Sequence, residues 1–309
     1  MVNATQVSFF TFSAYFDTGL FKYLYFMIVL SLYISMICSN LLLIVVICMN
    51  RSLHEPMYIF LCSLFVNELY GSSGLFPFLL TQILSDIHTV PASLCFLQIF
   101  CVYTYGNIEY LTLTVMSYDR YLAICCPLQY KTRMSYNKVA ILIALTWLLI
   151  YLLNFFTMPL IIPSQLCGDI IKKVYCDYHS VVKLACYDTT VSNIYGLIVT
   201  AISVFGPLTL IFYTYIKIFK VCLCGSKQTR QKAVSTCTPH LASLINFSFG
   251  ACFEILQSRF DMNSVPNMLR IFLSLYFLTC PPLFNPVMYG LKLSKIRDTC
   301  KGLIMNVSC

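Results

Sequence analysis

Two adjacent residues of opposite charge, Asp119 and Arg120, end a long apolar stretch of this 309-residue chain, within the segment Met116–Tyr130, MSYDRYLAICCPLQY. Charges at the end of a membrane-length helix are costly unless they have partners. The guanidinium of Arg120 stays charged at physiological pH and offers five hydrogen-bond donors. Neighbouring helical residues do not face each other, so these side chains can meet only along the helix surface. The pair is therefore either a switch that is held and released, or a pair whose heads reach for water.

Two further acidic residues, Glu68 and Glu109, stand inside other apolar stretches. No lysine or arginine lies at a similar depth in the apolar sequence. Buried carboxylates without a base must be protonated, share a proton or hold a cation, because an isolated charge is costly to bury. Two interpretations stay equal: a core site for a proton or a cation, and a pair of neutral, hydrogen-bonded acids.

The composition indicates what kind of protein must position these residues. Hydrophobic residues make up 59% of the chain and charged residues only 10%, whereas soluble domains carry about 25% charged residues. The apolar residues are grouped in blocks of membrane length, about 20 residues or more. An outer-membrane barrel would instead show alternating segments of about ten residues. The sequence therefore predicts an all-α membrane protein.

Seven apolar blocks predict seven transmembrane helices in one domain, residues 1–309. The blocks lie near residues 24–49, 57–84, 94–125, 138–160, 191–222, 232–257 and 267–290. The following segment, 292–303, has its apolar residues on one face, which is typical of an amphipathic helix on a membrane surface. Cys300 on that face is either palmitoylated or unmodified.

The basic residues predict the orientation of the chain in the membrane. With the N-terminus outside, fourteen lysines and arginines fall on the inner side and six on the outer side, as the excess of positive charge in cytoplasmic loops requires. The six outer ones are Lys22, Lys172, Lys173, Lys183, Arg259 and Arg270. Asn3 begins an Asn-Ala-Thr sequon, which would be glycosylated on the outer side. The net charge of +8 then faces the anionic lipid and acidic partners of the cytoplasm, and we expect no nucleic-acid partner.

Signals for other classes of membrane protein are missing from the sequence. It offers no nucleophile with a supporting base, no phosphate-binding loop and no metal-ligand cluster, so we expect no enzyme and no cofactor. A transporter or channel would need broken helices in two matching halves, or ionisable residues along a pathway. Neither pattern is found in the chain.

Five motifs, in order along the chain, resemble those of the olfactory receptors, a branch of the rhodopsin-like G-protein-coupled receptors. They are SNLLL at Ser39, PMYIFL at Pro56, MSYDRYLAICCPLQY at Met116, KAVSTCTPHL at Lys232 and PLFNPVMY at Pro282. The resemblance covers nearly the whole chain. Three departures stand out: Glu68 replaces the usual aspartate of helix 2, and Ser248 and Phe249 replace a frequent Tyr-Gly pair of helix 6. The SRF of Ser258–Phe260 resembles the HRF of the class I, fish-like branch, to which we assign the chain.

The resemblance implies a receptor that binds a small odorant from outside and activates a heterotrimeric G protein, raising cyclic AMP. It places the protein in the plasma membrane of olfactory sensory neuron cilia. A rhodopsin-like receptor for a small metabolite outside the olfactory system is the alternative. The residues that the resemblance assigns to coupling and switching are Asp119, Arg120, Tyr121, Tyr215, Asn285, Pro286 and Tyr289. For Tyr215, an interfacial tyrosine is an equal interpretation. Glu68 and Glu109 match the region that binds sodium in the wider family.

Four cysteines lie on the predicted outer side, and four cysteines allow three pairings. The resemblance favours the pairs Cys95–Cys176 and Cys167–Cys186, while the sequence alone leaves Cys95–Cys186 open. A bridge from the 161–190 loop to helix 3 would cap a pocket between the helices.

The resemblance also implies a ligand pocket in the outer half of the bundle. Its residues on helices 3, 5 and 6 are Tyr103, Gly106, Asn107, Val199, Ser203, Ser248, Ala251, Cys252, Ile255 and Arg259. An apolar cleft with few polar anchors suits a small organic ligand. Arg259 is the only cation on the helix 6 face, and in class I receptors the matching residue can hold an acid group. Equally, Arg259 could reach the membrane surface and pair with Glu254, Asp261 or lipid headgroups.

Overall fold

The computed structural model describes residues 7–15, 19–161, 165–260 and 265–307. Asn3 and Asp261 therefore lie outside the described residues. The helices are α1 (Phe21–Met49), α2 (Pro56–Leu84), α3 (Ala92–Cys125), α4 (Pro127–Arg133), α5 (Tyr136–Ile161), α6 (Tyr178–Val182), α7 (Thr190–Cys224), α8 (Lys227–Arg259), α9 (Asn267–Lys292) and α10 (Ser294–Val307), with a 3₁₀ turn at Arg51–Leu53. The strands are β1 (Phe9–Phe12), β2 (Thr89–Pro91) and β3 (Ile170–Ile171).

Seven long helices form one bundle, so the all-α, seven-helix fold class is confirmed. Within the described residues, six of them are long and apolar enough to cross a membrane: α1, α2, α5, α7, α8 and α9. The seventh, α3, has 34 residues and lies at the centre, in contact with α2, α5, α7 and α8. Helix α3 can be more polar than a lipid-facing helix because it is surrounded by other helices. Its buried residues include Gln98, Glu109 and Asp119.

Two helix starts depart most from the predicted blocks: α4 was not predicted, and α8 begins five residues early. Helix α3 ends at Cys125, and Pro127 is the first residue of α4, where proline costs nothing because that N–H has no helical partner. Pro127 thus starts a short helix as well as following one. Helix α8 begins at Lys227 rather than at 232, so its first two turns are charged and extend beyond the apolar block.

A small sheet that the sequence did not predict covers one end of the bundle. Strand β1 pairs antiparallel with β2 and parallel with β3. Phe10 and Phe12 of β1 are buried against the tops of the helices. Since this sheet lies beside the Cys95–Cys176 bond, we call this end of the bundle the disulfide end, and the other the Arg120 end.

A proline in α9 leaves one backbone carbonyl without its helical partner, and a side chain of α1 binds that carbonyl. Pro286 has no N–H to donate to the carbonyl of Pro282, one turn earlier. The side chain of Asn40 in α1 donates to that carbonyl at 2.9 Å, and Asn40 is fully buried. The SNLLL and PLFNPVMY motifs are thereby joined in the middle of the bundle.

Candidate functional site

A cavity of about 150 Å³ lies towards the disulfide end, between α3, α5, α7, α8 and α9. Eight of the ten predicted ligand residues line it: Tyr103, Gly106, Asn107, Val199, Ser203, Ala251, Ile255 and Arg259. Its wall is mainly apolar, with Met158 of α5, Val204 of α7 and Phe277 of α9 among its members. An apolar cavity with a few polar groups is what a small organic ligand requires.

Two predicted pocket residues of α8, Ser248 and Cys252, do not line this cavity. The side of α8 that faces it carries Ala251, Glu254 and Ile255. Cys252 is exposed, because one residue further along a helix turns the side chain by about 100°. Ser248 comes one turn before Ala251 in α8 and is not among the residues that line the cavity.

The 165–189 connection supplies pocket residues that sequence reasoning missed. Asp177, Tyr178 and His179 line the cavity, and Asp177 caps the short helix α6 by accepting from the Ser180 N–H at 3.4 Å. The bond between Cys95 and Cys176 fixes the residues just before α6 to the start of α3. The bond was implied by the resemblance, but the residues that follow Cys176 were not considered.

Both disulfides implied by the resemblance are present. Cys95 and Cys176 are joined, as are Cys167 and Cys186. Gln98, one turn into α3, accepts a hydrogen bond from the N–H of Cys176 at 2.8 Å. The connection is therefore anchored to α3 by both a covalent bond and a hydrogen bond.

A buried lysine joins this connection to α8. The Lys173 Nζ lies 2.5 Å from Glu254 Oε1 and 3.4 Å from Asp177 Oδ2, and Lys173 is only 8% exposed. Burial alone would lower the pKa of Lys173, but the two carboxylates raise it above its ordinary value. Burial would likewise raise the pKa of Asp177, and Lys173 instead lowers it. Lys173 and Asp177 are thus charged at neutral pH, and we call Lys173, Asp177 and Glu254 the Lys173 cluster.

His179 lines the cavity next to the Lys173 cluster and is neutral. Burial, reinforced by the positive charge of Arg259, lowers the pKa of His179 to about 4. The imidazole is therefore uncharged at neutral pH and offers the cavity one donor and one acceptor.

Arg259 lines the cavity without an acidic partner. Among the described residues, no carboxylate lies within ion-pair distance of its guanidinium, and its Nε is buried without a hydrogen-bond partner. The predicted alternative partner, Glu254, is bound to Lys173 instead. The other alternative, Asp261, lies outside the described residues.

Deeper in the bundle, Glu68 and Glu109 meet at a polar core. Both are fully buried, and each accepts from the Asn285 amide of α9. Tyr105 donates to Glu68 at 2.9 Å, and Asn67 donates to Glu109 at 2.9 Å. All of these donors are neutral, and within the described residues neither acid has a basic partner. Tyr105 and Asn67 were not singled out by the sequence.

A glycine lets Tyr105 reach Glu68. A Cβ on Gly71 of α2 would lie 2.7 Å from Cγ of the Tyr105 ring, closer than real Cβ contacts. Tyr105 also packs edge to face against Phe247 of α8 and Phe277 of α9, with centroids 6.0 and 5.5 Å away. The polar core is therefore linked to the helices that line the cavity.

At the Arg120 end, Asp119 holds Arg120. The guanidinium binds Asp119 through both Nη2 and Nε, the latter at 3.1 Å. Tyr130 of α4 donates to the other Asp119 oxygen at 2.8 Å. Asp119 is fully buried, and its neighbour along the chain is its only charged partner among the described residues. Tyr121, in contrast, stacks on Tyr118 away from this pair.

Within the described residues, the switch tyrosines have other partners than Arg120. Tyr215 of α7 shares a hydrogen bond of 2.8 Å with His240 Nδ1 of α8. The other nitrogen of His240 lies 2.9 Å from the carbonyl of Leu113 in α3, so Nε2 donates there and Nδ1 accepts from Tyr215. Tyr289 is buried against Phe65. His240 ties three helices together, and only its place in the KAVSTCTPHL motif could have indicated it.

Comparison with known proteins agrees with this architecture. The family model described as "Olfactory receptor" matches residues 29–307. The chain is 31% identical to human olfactory receptor 10J5 over 99% of each chain. It is 33% identical to mouse olfactory receptor 1E16, covering 93% of this chain and 90% of that one. It is also 32% identical to human olfactory receptor 52K2, covering 88% and 87%. This chain is therefore a multi-pass membrane protein of the olfactory receptor family, with the odorant-receptor function of that family.

Proposed function

We propose that the chain binds a small odorant in the cavity near the disulfide end and activates a heterotrimeric G protein at the Arg120 end, raising cyclic AMP. One observation carries this proposal: the single helix α3 contributes to all three sites. It lines the cavity with Tyr103 and Asn107, supplies Glu109 to the polar core, and ends in Asp119–Arg120. A shift of α3 or its neighbours would therefore change both the cavity near the disulfide end and the charge pair at the Arg120 end.

In the proposed orientation the disulfide end faces outward and the Arg120 end faces the cytoplasm. The distribution of basic residues supports it, with fourteen of twenty on the Arg120 side. Disulfides form in the secretory pathway and on cell surfaces, which agrees with their position at the outer end. Asn3 is then a glycosylation site, and the membrane is that of olfactory sensory cilia.

The arrangement described here is the resting one in this proposal. Asp119 occupies Arg120, and His240 occupies Tyr215. Activation frees both partners, so that Arg120 meets the G protein and Tyr215. Glu68 and Glu109 bias the resting state by holding a proton or a sodium ion between them.

A carboxylate is the proposed polar feature of the odorant. The argument is the position of Arg259, which lines the cavity with a buried, unpartnered Nε. Asp177 and Glu254 pair with Lys173 and not with Arg259. A guanidinium binds a carboxylate through two parallel hydrogen bonds.

A cyclic AMP reporter assay tests the proposed coupling. Cells that express the wild-type receptor are exposed to a panel of acids, amines, alcohols, aldehydes and amino acids. We expect Arg120→Ala to abolish every response that the wild type gives, at normal surface expression. Lys131→Ala removes a nearby cation of α4 that has no role in the charge pair, and it should retain the responses.

Two outcomes contradict parts of the proposal. Retained responses in Arg120→Ala count against the coupling role of the charge pair. An unchanged acid response in Arg259→Ala removes the carboxylate anchor, while leaving the odorant cavity and the coupling in place.

A further inference from the structure

A second cavity, of about 520 Å³, lies beside the ligand cavity at the disulfide end. Four residues line both spaces: Asp177, His179, Ser258 and Arg259. Its remaining lining comes from the 165–189 connection and from the ends of α8 and α9. In the proposed orientation it lies on the outer side of the protein, and we call it the vestibule.

Positive charge dominates the vestibule. Five of the six outer cations line it: Lys172, Lys173, Lys183, Arg259 and Arg270. Asp177 is its only acidic residue among the described ones, and Asp177 is paired with Lys173. Nothing in the sequence indicates this convergence, because the five residues come from segments up to 98 positions apart.

Four of these cations have no acidic partner within the described residues. Lys183 Nζ donates to the Ser258 carbonyl at 3.1 Å, and Arg270 Nη2 donates to the Asn267 side chain at 3.0 Å. Both acceptors are neutral, so they position the charges without cancelling them. Lys172 is exposed, and Arg259 has the unpartnered Nε described above.

We propose that the vestibule is a capture site for anionic ligands, which binds a carboxylate first and passes it to the inner cavity at Arg259. This inference rests on the proposed function, since it names the ligand class and the route to the same cavity. A concave site lined by charge of one sign concentrates ligands of the opposite sign and speeds their association. Arg259 suits the transfer because it lines both spaces.

The vestibule separates ligands by charge rather than by shape. A carboxylate gains from the cations at any position in the chamber, whereas an alcohol of equal chain length does not. The gain must fall with salt, because charges more than about 8 Å apart are largely screened at physiological ionic strength.

Direct binding of octanoate and 1-octanol to the full-length receptor tests the inference. The receptor is placed in nanodiscs of zwitterionic phosphatidylcholine, so that lipid charge does not attract the probe, and binding is followed by saturation-transfer NMR against empty nanodiscs. The test variant carries Lys172→Gln, Lys183→Gln and Arg270→Gln and keeps Arg259. The control variant carries Lys131→Gln, Arg133→Gln and Lys138→Gln, which removes the same charge at the Arg120 end.

We expect the test variant to bind octanoate about 10-fold more weakly than the wild type at about 20 mM NaCl, with the difference nearly gone at about 500 mM. Octanol binding should be equal in all three proteins, which also shows that they are folded. Should the test variant lose octanol as well, the single variant Lys172→Gln decides, because its exposed side chain can be changed without loss of packing.

The inference is overturned if octanoate binds the test variant as tightly as the wild type, if the control variant weakens octanoate equally, or if the wild type does not bind octanoate. The first two results leave the proposed function intact, provided that Arg120→Ala still abolishes the cyclic AMP response to neutral odorants. The third also counts against the carboxylate as the polar feature of the odorant, and it leaves the odorant cavity and the coupling in place. If Arg120→Ala keeps its cyclic AMP responses while octanoate binds as expected, the proposed coupling is refuted and the anion-binding inference stands.

Discussion

The Lys173 cluster and the polar core each bury two carboxylates, and only the first pair has a base. Asp177 and Glu254 share the ammonium of Lys173. Glu68 and Glu109 share the neutral amide of Asn285. Buried charges are stable only when they are paired and hydrogen-bonded. The cluster therefore connects the 165–189 segment to α8 with its own charges, whereas under the proposed function the polar core is completed by a proton or a cation from outside.

This difference suggests that the Lys173 cluster serves stability, whereas the polar core serves the response of the receptor. The Lys173 cluster changes little when the pH changes near neutrality, because Lys173 and Asp177 are already charged. In the proposed function, Glu68 and Glu109 take a proton or a sodium ion from solution, so their state depends on the pH or on the sodium concentration. The following variants test the contrast between the two acid pairs.

Lys173→Met should have the largest effect, because it leaves two buried carboxylates without a base. Removing one partner of a buried ion pair costs about 3–5 kcal/mol. We expect that loss in the free energy of unfolding, seen as a lower Tm of the purified receptor and less receptor at the cell surface. Lys172→Met changes the exposed neighbour and should leave the Tm unchanged.

Adding Glu254→Gln to Lys173→Met tests whether the cost is electrostatic. The second change removes one of the two stranded charges, so it should recover part of the lost Tm. An additive loss in the double variant would show that packing, and not charge, sets the effect of Lys173→Met.

Gly71→Ala should come next, because it disturbs the polar core without changing any charge. Its methyl group would force the Tyr105 ring away from Glu68. Overpacking of this kind costs about 1–3 kcal/mol, and a thermal unfolding curve measures it. Gly206→Ala is the matched control, since a Cβ there meets nothing within 4 Å. Equal unfolding curves for the two variants would refute the close packing of Tyr105.

Much of this architecture could be predicted from sequence, and the omissions have physical causes. The helices are visible because lipid requires continuous apolar blocks, and motifs locate Arg120 and Asn285 within them. Ser248 and Cys252 do not line the cavity, because periodicity gives the faces of a helix but neither its rotation nor its depth in the bundle. The Lys173–Glu254 pair spans 81 positions and depends on the path of an irregular connection. Strand β1 was missed because its four residues pair only with distant segments.

His179 gives a smaller effect, through pH. The pKa of His179 is about 4 in the folded protein and about 6.5 in an unfolded chain. The unfolded state therefore binds more protons between these values, and stability falls as the pH drops from about 6.5 to 4. The groups around it are Arg259, Asp177, Lys173 and Lys183.

We expect the Tm of His179→Gln to depend less on pH than that of the wild type over this range, with the largest difference near pH 4. Asp177 does not cause the same pH dependence between pH 6.5 and 4, since Lys173 keeps the pKa of Asp177 below its ordinary value. Identical pH profiles for the variant and the wild type would show that His179 is not held neutral.

Glu109→Gln should alter stability least and response most clearly. The amide keeps an oxygen to accept from Asn67 and removes one of two adjacent acids, so we expect a change of about 1 kcal/mol or less. If sodium occupies the core, added sodium lowers basal cyclic AMP in the wild type and not in the variant, with potassium as the ionic-strength control. If a proton occupies it, sodium has no effect, and lowering the pH lowers basal signalling only in the wild type. Basal signalling that ignores sodium, pH and the substitution would leave Glu68 and Glu109 as neutral, structural acids, and the contrast with the Lys173 cluster would then be one of charge alone.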